Sequence, residues 1–381
     1  MHRKKIIFLI TINAITLLFG VFCFCLLLQI WYYAVIFGRL AFYKKKAVNT
    51  NLPPASIVIC ARNEDHNIVD FLPLVLEQEY PEFEVVVVND CSFDNTADVL
   101  DEIAKKYPHL KIVTIKETPN FQHGKKIALM MGIKGASYEH LLLTDADCKP
   151  LSKFWLKNCM ERFLDGTEIV LGYGAYEKRK GLLNKLIRFD SFFVGLQYLS
   201  YSLAGKTYMG VGRNLAYTKK LFFKHKGFAS HYHIESGDDD LFINEAATRK
   251  NTKIEIEKES ITISVAKKNF LGWWRQKRRH ISTSKHYKFS TLFRMSVFTI
   301  SQYFFWILFV LLLFVHFQWK IVVGLFVLRL LLQLIIFKKA MDKLDEKKLI
   351  LYSPLFELFF MFFYPALMLT NFFAKPNKWK N

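Results

Sequence analysis

The sequence predicts an α/β domain, with a mostly parallel sheet and helices on both faces, joined to about four transmembrane helices. Apolar residues make up 52% of the 381 residues, and they gather into long runs near the start and in the last third of the chain. Between these runs, short apolar stretches alternate with stretches of helical spacing. This alternation predicts β-α-β units, whose crossovers produce parallel strands covered on both faces.

The first apolar segment, from Ile6 to Phe37, contains no charged residue. About 20 apolar residues cross a bilayer, so the segment is long enough for one crossing and too short for two. It is longer than the apolar part of a signal peptide and lacks a small-residue cleavage site, which favours an uncleaved anchor. We therefore expect residues 1–47 to form an N-terminal transmembrane anchor.

Residues 51–265 have the composition and length of one α/β domain. The predicted strands are Ser56–Cys60, Val85–Val88, Lys111–Ile115 and Leu141–Leu143. The predicted helices are Ile68–Leu76, a segment from Asp94 to Ile103, and Lys125–Ile133. The chain lacks both common glycine-rich phosphate loops, so we expect a nucleotide to be bound by other means.

Acidic residues follow two of these strands. Asp90 ends the second strand, and Asp145 and Asp147 follow the fourth. Ligands of open α/β sheets bind at the carboxyl ends of the strands, and carboxylates there suit a divalent cation. An ordinary solvated turn is the alternative for Asp-Ala-Asp.

Three further groups are candidates for chemistry. Lys125 opens a helix, where backbone N–H groups and a lysine suit a phosphate, although a solvated lysine is common there. Asp238 and Asp239 belong to an acidic triplet before a helical run, which indicates either capping or a base near a reacting hydroxyl. Gln276 and Arg279 share one face of a basic, tryptophan-containing helix, where membrane anchoring is the simpler explanation.

A basic and aromatic segment, residues 266–295, lies at a predicted membrane boundary. Three apolar segments follow within residues 296–373, and the chain ends in a tail at 374–381. The three segments are Ser296–Val315, Ile321–Phe337 and Leu349–Phe373. Arg329 and Glu357 lie inside them, where a charge costs about 2.5–3.5 kcal/mol near the bilayer centre. We therefore expect these two residues to pair with each other or to face the polar domain.

The chain is strongly basic, with 53 Lys and Arg against 33 Asp and Glu and a formal net charge of +20. Basic runs flank the apolar segments, as expected for loops that stay inside and contact anionic lipid headgroups. The sequence contains no zinc-ligand spacing or RNA-recognition motif, which argues against nucleic-acid binding. Its six cysteines form no paired framework, as expected for thiols that face a reducing cytosol.

Taken in order, these motifs resemble those of the membrane-bound family 2 glycosyltransferases, which include ceramide glucosyltransferase and the synthases of cellulose, hyaluronan and poly-N-acetylglucosamine. The resemblance extends from about Ala55 to His280. It rests on Ala55–Glu64, Val88–Thr96, Asp145–Asp147, Gly237–Asp239 and Gln276–His280. Gly210–Asn214 also resembles a sugar-side loop of the family, and a plain glycine turn explains it nearly as well.

The resemblance implies a GT-A fold and a divalent cation, Mg²⁺ or Mn²⁺. It places Arg62, Glu64, Asp90, Lys125 and Asp145 at the nucleotide-sugar donor, with Asp147 and Asp145 at the metal. It makes Asp239 the base, or Asp238 if the motif is aligned one residue earlier. Gln276, Arg279 and His280 would close over the diphosphate or the acceptor, although the family usually has tryptophan where His280 stands.

The function implied is inverting transfer of a sugar, from a nucleotide sugar with UDP favoured, to a lipid-linked or glycan acceptor. The catalytic domain would face the cytosol at the cytoplasmic (inner) membrane, in contact with membrane lipids. One alternative is processive polysaccharide synthesis with extrusion. A second alternative, from another class, is a catalytically silent membrane scaffold. The clustered acids argue against a scaffold, which has no need of mutually repelling carboxylates.

Overall fold

A computed structural model describes residues 2–45, 50–116, 124–164, 166–234 and 236–374, with side chains from residue 14 onward. The end of the predicted anchor, 46–47, and most of the predicted tail, 375–381, lie outside these ranges. The helices are α1 (His2–Trp31), α2 (Gly38–Ala41), α3 (Asp65–Leu76), α4 (Thr96–Ala104), α5 (Lys125–Gly135), α6 (Trp155–Met160), α7 (Leu182–Leu203), α8 (Lys219–Lys224), α9 (Asp240–Ala246), α10 (Phe270–Ile281), α11 (Phe289–Phe314), α12 (Trp319–Lys343) and α13 (Ser353–Phe373). The strands are β1 (Ala55–Ala61), β2 (Phe83–Asp90), β3 (Leu110–Ile115), β4 (His140–Asp145), β5 (Cys148–Pro150), β6 (Ile169–Leu171), β7 (Gly174–Tyr176), β8 (Leu215–Thr218), β9 (Thr252–Ile254) and β10 (Thr262–Ser264).

The main sheet has seven strands in the order β3-β2-β1-β4-β8-β6-β9. The four strands β3, β2, β1 and β4 are parallel, and β8 runs antiparallel to both of its neighbours, β4 and β6. A second sheet of three short strands, in the order β5-β10-β7, lies beside it. The predicted α/β fold with a mostly parallel sheet is confirmed, with one reversed strand that the sequence analysis did not predict.

The central strands are buried on both faces, which explains their continuous apolar runs. Alternate residues of β1 point to opposite faces. Ile57 packs in a core with Leu72 of α3 and Leu100 of α4, whereas Val58 packs in a core with Leu129 of α5. Helices therefore cover the sheet on both sides, as predicted.

Helix α5 lies unusually close to the sheet because it contains Gly132. A Cβ atom added at this glycine would lie 2.7 Å from a methyl group of Val58 and 2.8 Å from one of Val88. Such distances are too short for carbon atoms, so a larger residue would push the helix away. The glycine thus fixes the position of α5, whose first residue is Lys125.

Within the part of the chain that the structure describes, four helical segments are long and apolar enough to cross a membrane, which is the predicted number. They are Ala14–Ala41, Phe289–Phe314, Trp319–Lys343 and Lys347–Phe373. Helix α11 begins at Phe289 rather than at the predicted Ser296, and α12 continues to Lys343 rather than ending at Phe337. Lysine and arginine are good helix formers whose chains reach out of an apolar layer, so basic ends extend the helices beyond the apolar segments.

Arg329 and Glu357 form the predicted ion pair between α12 and α13, and both side chains are buried. An Arg329 nitrogen lies 3.0 Å from one carboxylate oxygen of Glu357, and Gln333 donates a hydrogen bond of 2.8 Å to the same oxygen. Gln302 of α11 donates to the other oxygen at 2.7 Å. The charge of Glu357 is thus compensated by partners from two other helices.

Candidate active site

The sheet brings the carboxyl ends of β1, β2 and β4 to one edge. In the register of the parallel strands, Cys60 of β1 pairs with Asp145 of β4, and Ala61 pairs with Asn89, the residue before Asp90. Asp90 and Asp145 therefore lie at the same edge, as predicted. Asp90 is fully buried, and its carbonyl oxygen accepts a hydrogen bond of 3.2 Å from Arg62.

A cavity of about 510 Å³ opens at this edge. Among the described residues, Glu64 lines it, whereas Asp90 and Arg62 are buried and are not part of its lining. The predicted residues that line the cavity are Lys125, Asp145, Asp147, Asp238, Asp239, Gln276, Arg279 and His280. The fold thus brings residues from five separate sequence motifs to one cavity, and two predicted donor-side residues, Arg62 and Asp90, are not in its lining.

Asp145, Asp147 and Cys148 form a group that is able to hold a metal ion, because their ligand atoms all lie within 4.8 Å of one another. Burial and the charge of Asp145 raise the pKa of Asp147. Burial raises the pKa of the Cys148 thiol well above its usual value, which leaves two carboxylates as the charged ligands. A divalent cation that prefers oxygen ligands fits this pair, since it would relieve the repulsion between them.

Lys125 connects the strand-end acids with the acidic triplet. Its Nζ lies 2.9 Å from Asp145 and 3.1 Å from Asp238. Burial alone would lower the pKa of Lys125, but Asp145, Asp238 and Asp239 outweigh it and raise the pKa well above its ordinary value. The lysine is therefore a permanent cation at the start of α5, where the helix dipole also favours an anion.

The three acids of the triplet point to three different partners. Gly237 adopts a left-handed backbone conformation (φ +96°) and turns the chain before them. Asp238 pairs with Lys125, while one oxygen of Asp239 accepts the Gly212 N–H at 2.7 Å. Asp240 accepts hydrogen bonds from the hydroxyl groups of Thr283 and Tyr287. All three acids line the cavity together with Lys125, and Asp240 also binds the segment that follows α10.

The two candidate bases differ in their electrostatic surroundings. Burial alone would raise the pKa of Asp238, but Lys125 holds it below its ordinary value. Burial, followed by the charges of Asp238 and Asp240, raises the pKa of Asp239 to about 7. A general base works best when its pKa is near the working pH, so this property favours Asp239.

Helix α10 covers the cavity with its predicted face. Gln276 donates a hydrogen bond of 3.4 Å to the Tyr176 hydroxyl group, and Arg279 lies one turn further along the same face. Lys277, between them in the sequence, forms an ion pair of 2.8 Å with Asp190 of α7. The sequence analysis did not identify Lys277 or Asp190, because neither stands out among the many charged residues of its segment.

Arg213 is a further residue of the site that the sequence analysis quoted only as part of a loop. Its guanidinium group lies over the Tyr176 ring, 4.3 Å from the centroid, and donates a hydrogen bond of 3.1 Å to Ser264. Its charge lowers the pKa of Asp147, which burial and Asp145 raise. The signal that could have found it is the resemblance of Gly210–Asn214 to a sugar-side loop.

The cavity continues from the acids into the region of the membrane helices. Its lining there includes Phe298 and Gln302 of α11, Gln333 of α12, and Glu357 and Tyr364 of α13. One continuous space therefore joins the carboxylates at the sheet edge to side chains of three apolar helices.

Comparisons with known proteins agree with this architecture. Residues 56–225 match the family model described as Glycosyl transferase family 2. The fold resembles that of the mannosyltransferase PcManGT from Pyrobaculum calidifontis, solved in complex with GDP-Man and Mn²⁺. The TM-score is 0.56 at 17% identity, over 91% of this chain and 98% of that chain. At this identity the likeness concerns the fold alone, and it confirms the GT-A architecture.

Several known proteins are similar in sequence. Poly-beta-1,6-N-acetyl-D-glucosamine synthase of Staphylococcus epidermidis is 27% identical over 250 residues, which are 64% of this chain and 57% of that protein. The 4,4'-diaponeurosporenoate glycosyltransferase of Staphylococcus aureus is 30% identical over 151 residues, which are 40% of this chain and 36% of that protein. The chain thus spans less than two thirds of the length of these relatives. Residues 56–225, somewhat less than half of the chain, are thus similar to the family 2 glycosyltransferases.

Proposed function

We propose that the chain is an inverting glycosyltransferase that moves a sugar from a nucleotide sugar to an acceptor hydroxyl group at a membrane. One observation carries the proposal. Asp239, whose pKa is raised to about 7, lines the same cavity as Lys125 and the Asp145–Asp147 pair. A base and a site for a charged leaving group are the two parts that such a transfer requires.

The donor diphosphate is assigned to the cationic part of the site. Lys125 is the first residue of α5, and Arg279 of α10 lines the same cavity. Arginine binds phosphate through two parallel N–H groups, and lysine binds it as a point charge. Asp90, Arg62 and Glu64 are proposed to serve the nucleoside and ribose end. We propose a UDP-sugar, with a GDP-sugar as the alternative suggested by the solved structure with GDP-Man.

Asp147 and Asp145 are proposed to hold Mg²⁺ or Mn²⁺. Their fit rests on two repelling carboxylates within 4.8 Å of each other and of Cys148. When bound, the cation would neutralise charge on the leaving diphosphate. Without a cation or a donor, Lys125 partly compensates these acids through its contact of 2.9 Å with Asp145.

Asp239 is proposed to accept the proton of the acceptor hydroxyl group. The freed oxygen forms a bond to the anomeric carbon while the bond from that carbon to the diphosphate breaks, and the nucleoside diphosphate leaves as an anion. Attack from the side opposite the leaving group inverts the anomeric centre. The Gly212 N–H, at 2.7 Å from one oxygen of Asp239, holds this carboxylate in place.

The acceptor is proposed to be lipid-linked, because the cavity continues among the apolar helices α11, α12 and α13. Transfer of one sugar, or a short extension, is favoured by the small number of apolar helices. Processive synthesis is the second candidate, since one relative is named a polysaccharide synthase. The length of the product on a sizing gel separates the two. The catalytic domain is proposed to face the cytosol at the cytoplasmic membrane, where nucleotide sugars are made.

The experiment that tests this function is nucleotide release by the detergent-purified protein. A panel of UDP-, GDP- and dTDP-sugars would be offered with Mg²⁺ or Mn²⁺ and membrane lipid extract, with and without EDTA. We expect one donor to give release that EDTA abolishes, and the Asp239→Asn variant to give almost none. Release from no donor, in protein that is folded and monodisperse, would contradict the proposal and favour the scaffold.

A further inference from the structure

Helix α13 qualifies as a membrane span by length and composition, but its contacts point to a different orientation. We propose that α13 lies along the leaflet that faces the catalytic domain and does not cross the bilayer. The proposal rests on where the two ends of the helix are held. It concerns the contact of the protein with lipid and does not depend on sugar transfer.

The segment before α13 is held to the catalytic domain. Arg188 of α7 forms a buried ion pair with Glu346, and Lys185 donates a hydrogen bond of 2.6 Å to the Tyr352 hydroxyl group. Tyr352 is the last residue before α13. The N-terminal end of α13 is therefore on the side of α7.

The C-terminal end of α13 is held to α10. Arg278 donates a hydrogen bond of 2.8 Å to the side chain of Asn371, and the Asn371 amide donates one of 2.8 Å back to the Arg278 carbonyl. Arg278 also donates to the carbonyl of Ala374, just beyond the helix. Midway, the rings of Trp273 and Phe363 stack with their centroids 4.6 Å apart. The last three turns of α13 therefore run beside α10.

Helix α10 is itself attached to the catalytic domain along its length. Gln276 contacts Tyr176 of β7, and Lys277 forms its ion pair with Asp190 of α7. Thr283, just after the helix, donates to Asp240 of α9. Elements of the catalytic domain thus hold α10 at its middle and just beyond its end. A segment that packs against α10 therefore lies on the catalytic side of the membrane.

The length of α13 makes this arrangement incompatible with a crossing. Twenty-one residues span roughly 31 Å at about 1.5 Å per residue, close to the thickness of the hydrocarbon core of about 30 Å. A crossing helix would place its ends on opposite sides of the membrane. Both ends of α13 instead contact elements of the catalytic side, which requires the helix to run along that side.

The two faces of α13 agree with a helix embedded in one leaflet. Leu355, Phe362 and Leu369, at intervals of seven residues, are each more than 60% exposed. The opposite face, with Glu357 and Tyr364, lines the cavity. Acyl chains of the leaflet are the partner that covers an apolar stripe next to two other apolar helices. If the proposed function holds, α13 is then the wall that separates the acceptor cavity from the lipid.

The orientation of α13 can be tested by labelling intact and permeabilised cells with a membrane-impermeant maleimide. Three exposed positions of the full chain would be compared: Lys105→Cys in the catalytic domain, His316→Cys between α11 and α12, and Ala374→Cys after α13. Labelling of the parent protein, with its own six cysteines, is subtracted. We expect position 374 to behave like position 105 and opposite to position 316. Labelling of position 374 together with position 316 would overturn the proposal.

An epitope tag after Asn381 gives a second measurement that does not depend on local accessibility. The tag is expected to bind antibody under the same condition in which Lys105→Cys is labelled. Binding under the condition that labels His316→Cys would also overturn the proposal. Neither measurement involves a sugar donor, so a failure here leaves the proposed transfer activity standing, and loss of that activity leaves this result unchanged.

Discussion

Two clusters of charged side chains in this protein differ in their balance of charge. In the membrane cluster, one cation, Arg329, faces one anion, Glu357, and the amides of Gln302 and Gln333 complete its hydrogen bonds. In the cluster proposed to be catalytic, which we call the catalytic cluster, the acids outnumber the cations. Its members are Asp145, Asp147, Asp238 and Asp239, with Lys125 and Arg213 as cations.

The difference supports the proposal that the second cluster takes part in the reaction. A cluster in which one cation faces one anion has no surplus charge for a ligand to compensate, and it acts as a structural connection between helices. A cluster with surplus carboxylates beside a cavity is stabilised when a cation or a proton arrives. Burial, followed by the charges of Asp238 and Asp240, raises the pKa of Asp239 to about 7.

The largest expected effect comes from removing the proposed base. Asp239→Asn should lower kcat by about 10²–10⁴-fold, the usual contribution of a general base, with little change in donor binding. Asp238→Asn should act mainly on the KM of the donor, because Asp238 contacts Lys125. Steady-state nucleotide release by the two variants makes the measurement. If kcat collapses in Asp238→Asn and survives in Asp239→Asn, the base is Asp238.

Substitutions in the membrane cluster should change the stability of the protein rather than its activity. Glu357→Leu leaves Arg329 buried without its partner, and breaking a buried ion pair from one side costs about 3–5 kcal/mol. The double variant Arg329→Met with Glu357→Leu should recover most of this loss, because neither residue then leaves a buried charge without a partner. Thermal unfolding in detergent compares the three proteins. An unfolding temperature of Glu357→Leu equal to that of the parent would mean that the cluster is not structural.

The pH dependence should show the electrostatics of the catalytic cluster. Asp239 acts as a base only when it is deprotonated, so kcat/KM should fall about tenfold per pH unit below its pKa of about 7 and level off above it. The charge of Asp238 helps to raise that pKa. Asp238→Asn should therefore move the inflection to lower pH. A profile that stays flat from pH 5 to 8 would argue against Asp239 as the base.

Much of the fold follows from sequence patterns that have a single physical explanation. Four consecutive valines at 85–88, or three leucines at 141–143, must be buried on both faces, which requires a central parallel strand. The pairing of Arg329 with Glu357 followed from the cost of isolated charges in an apolar layer. Such strong constraints leave few alternatives.

Other features depend on contacts that no local pattern reveals. Strand β8 has four residues, and nothing in this short sequence indicates that it runs antiparallel to β4 and β6. The adjacent acids Asp238, Asp239 and Asp240 look equivalent in sequence, but a glycine turn and the capping of α9 send them to separate partners. The pair of Lys277 with Asp190 joins residues that are far apart in the chain.

The most direct test of the difference between the clusters is binding of Mn²⁺, followed by electron paramagnetic resonance on purified protein. The parent protein should bind Mn²⁺, Asp147→Asn should lose most of this binding, and Glu357→Gln should retain it, because only the catalytic cluster has surplus carboxylates. Each variant would first be checked for a monodisperse folded state. Binding that survives Asp147→Asn unchanged, or that disappears in Glu357→Gln, would contradict the account.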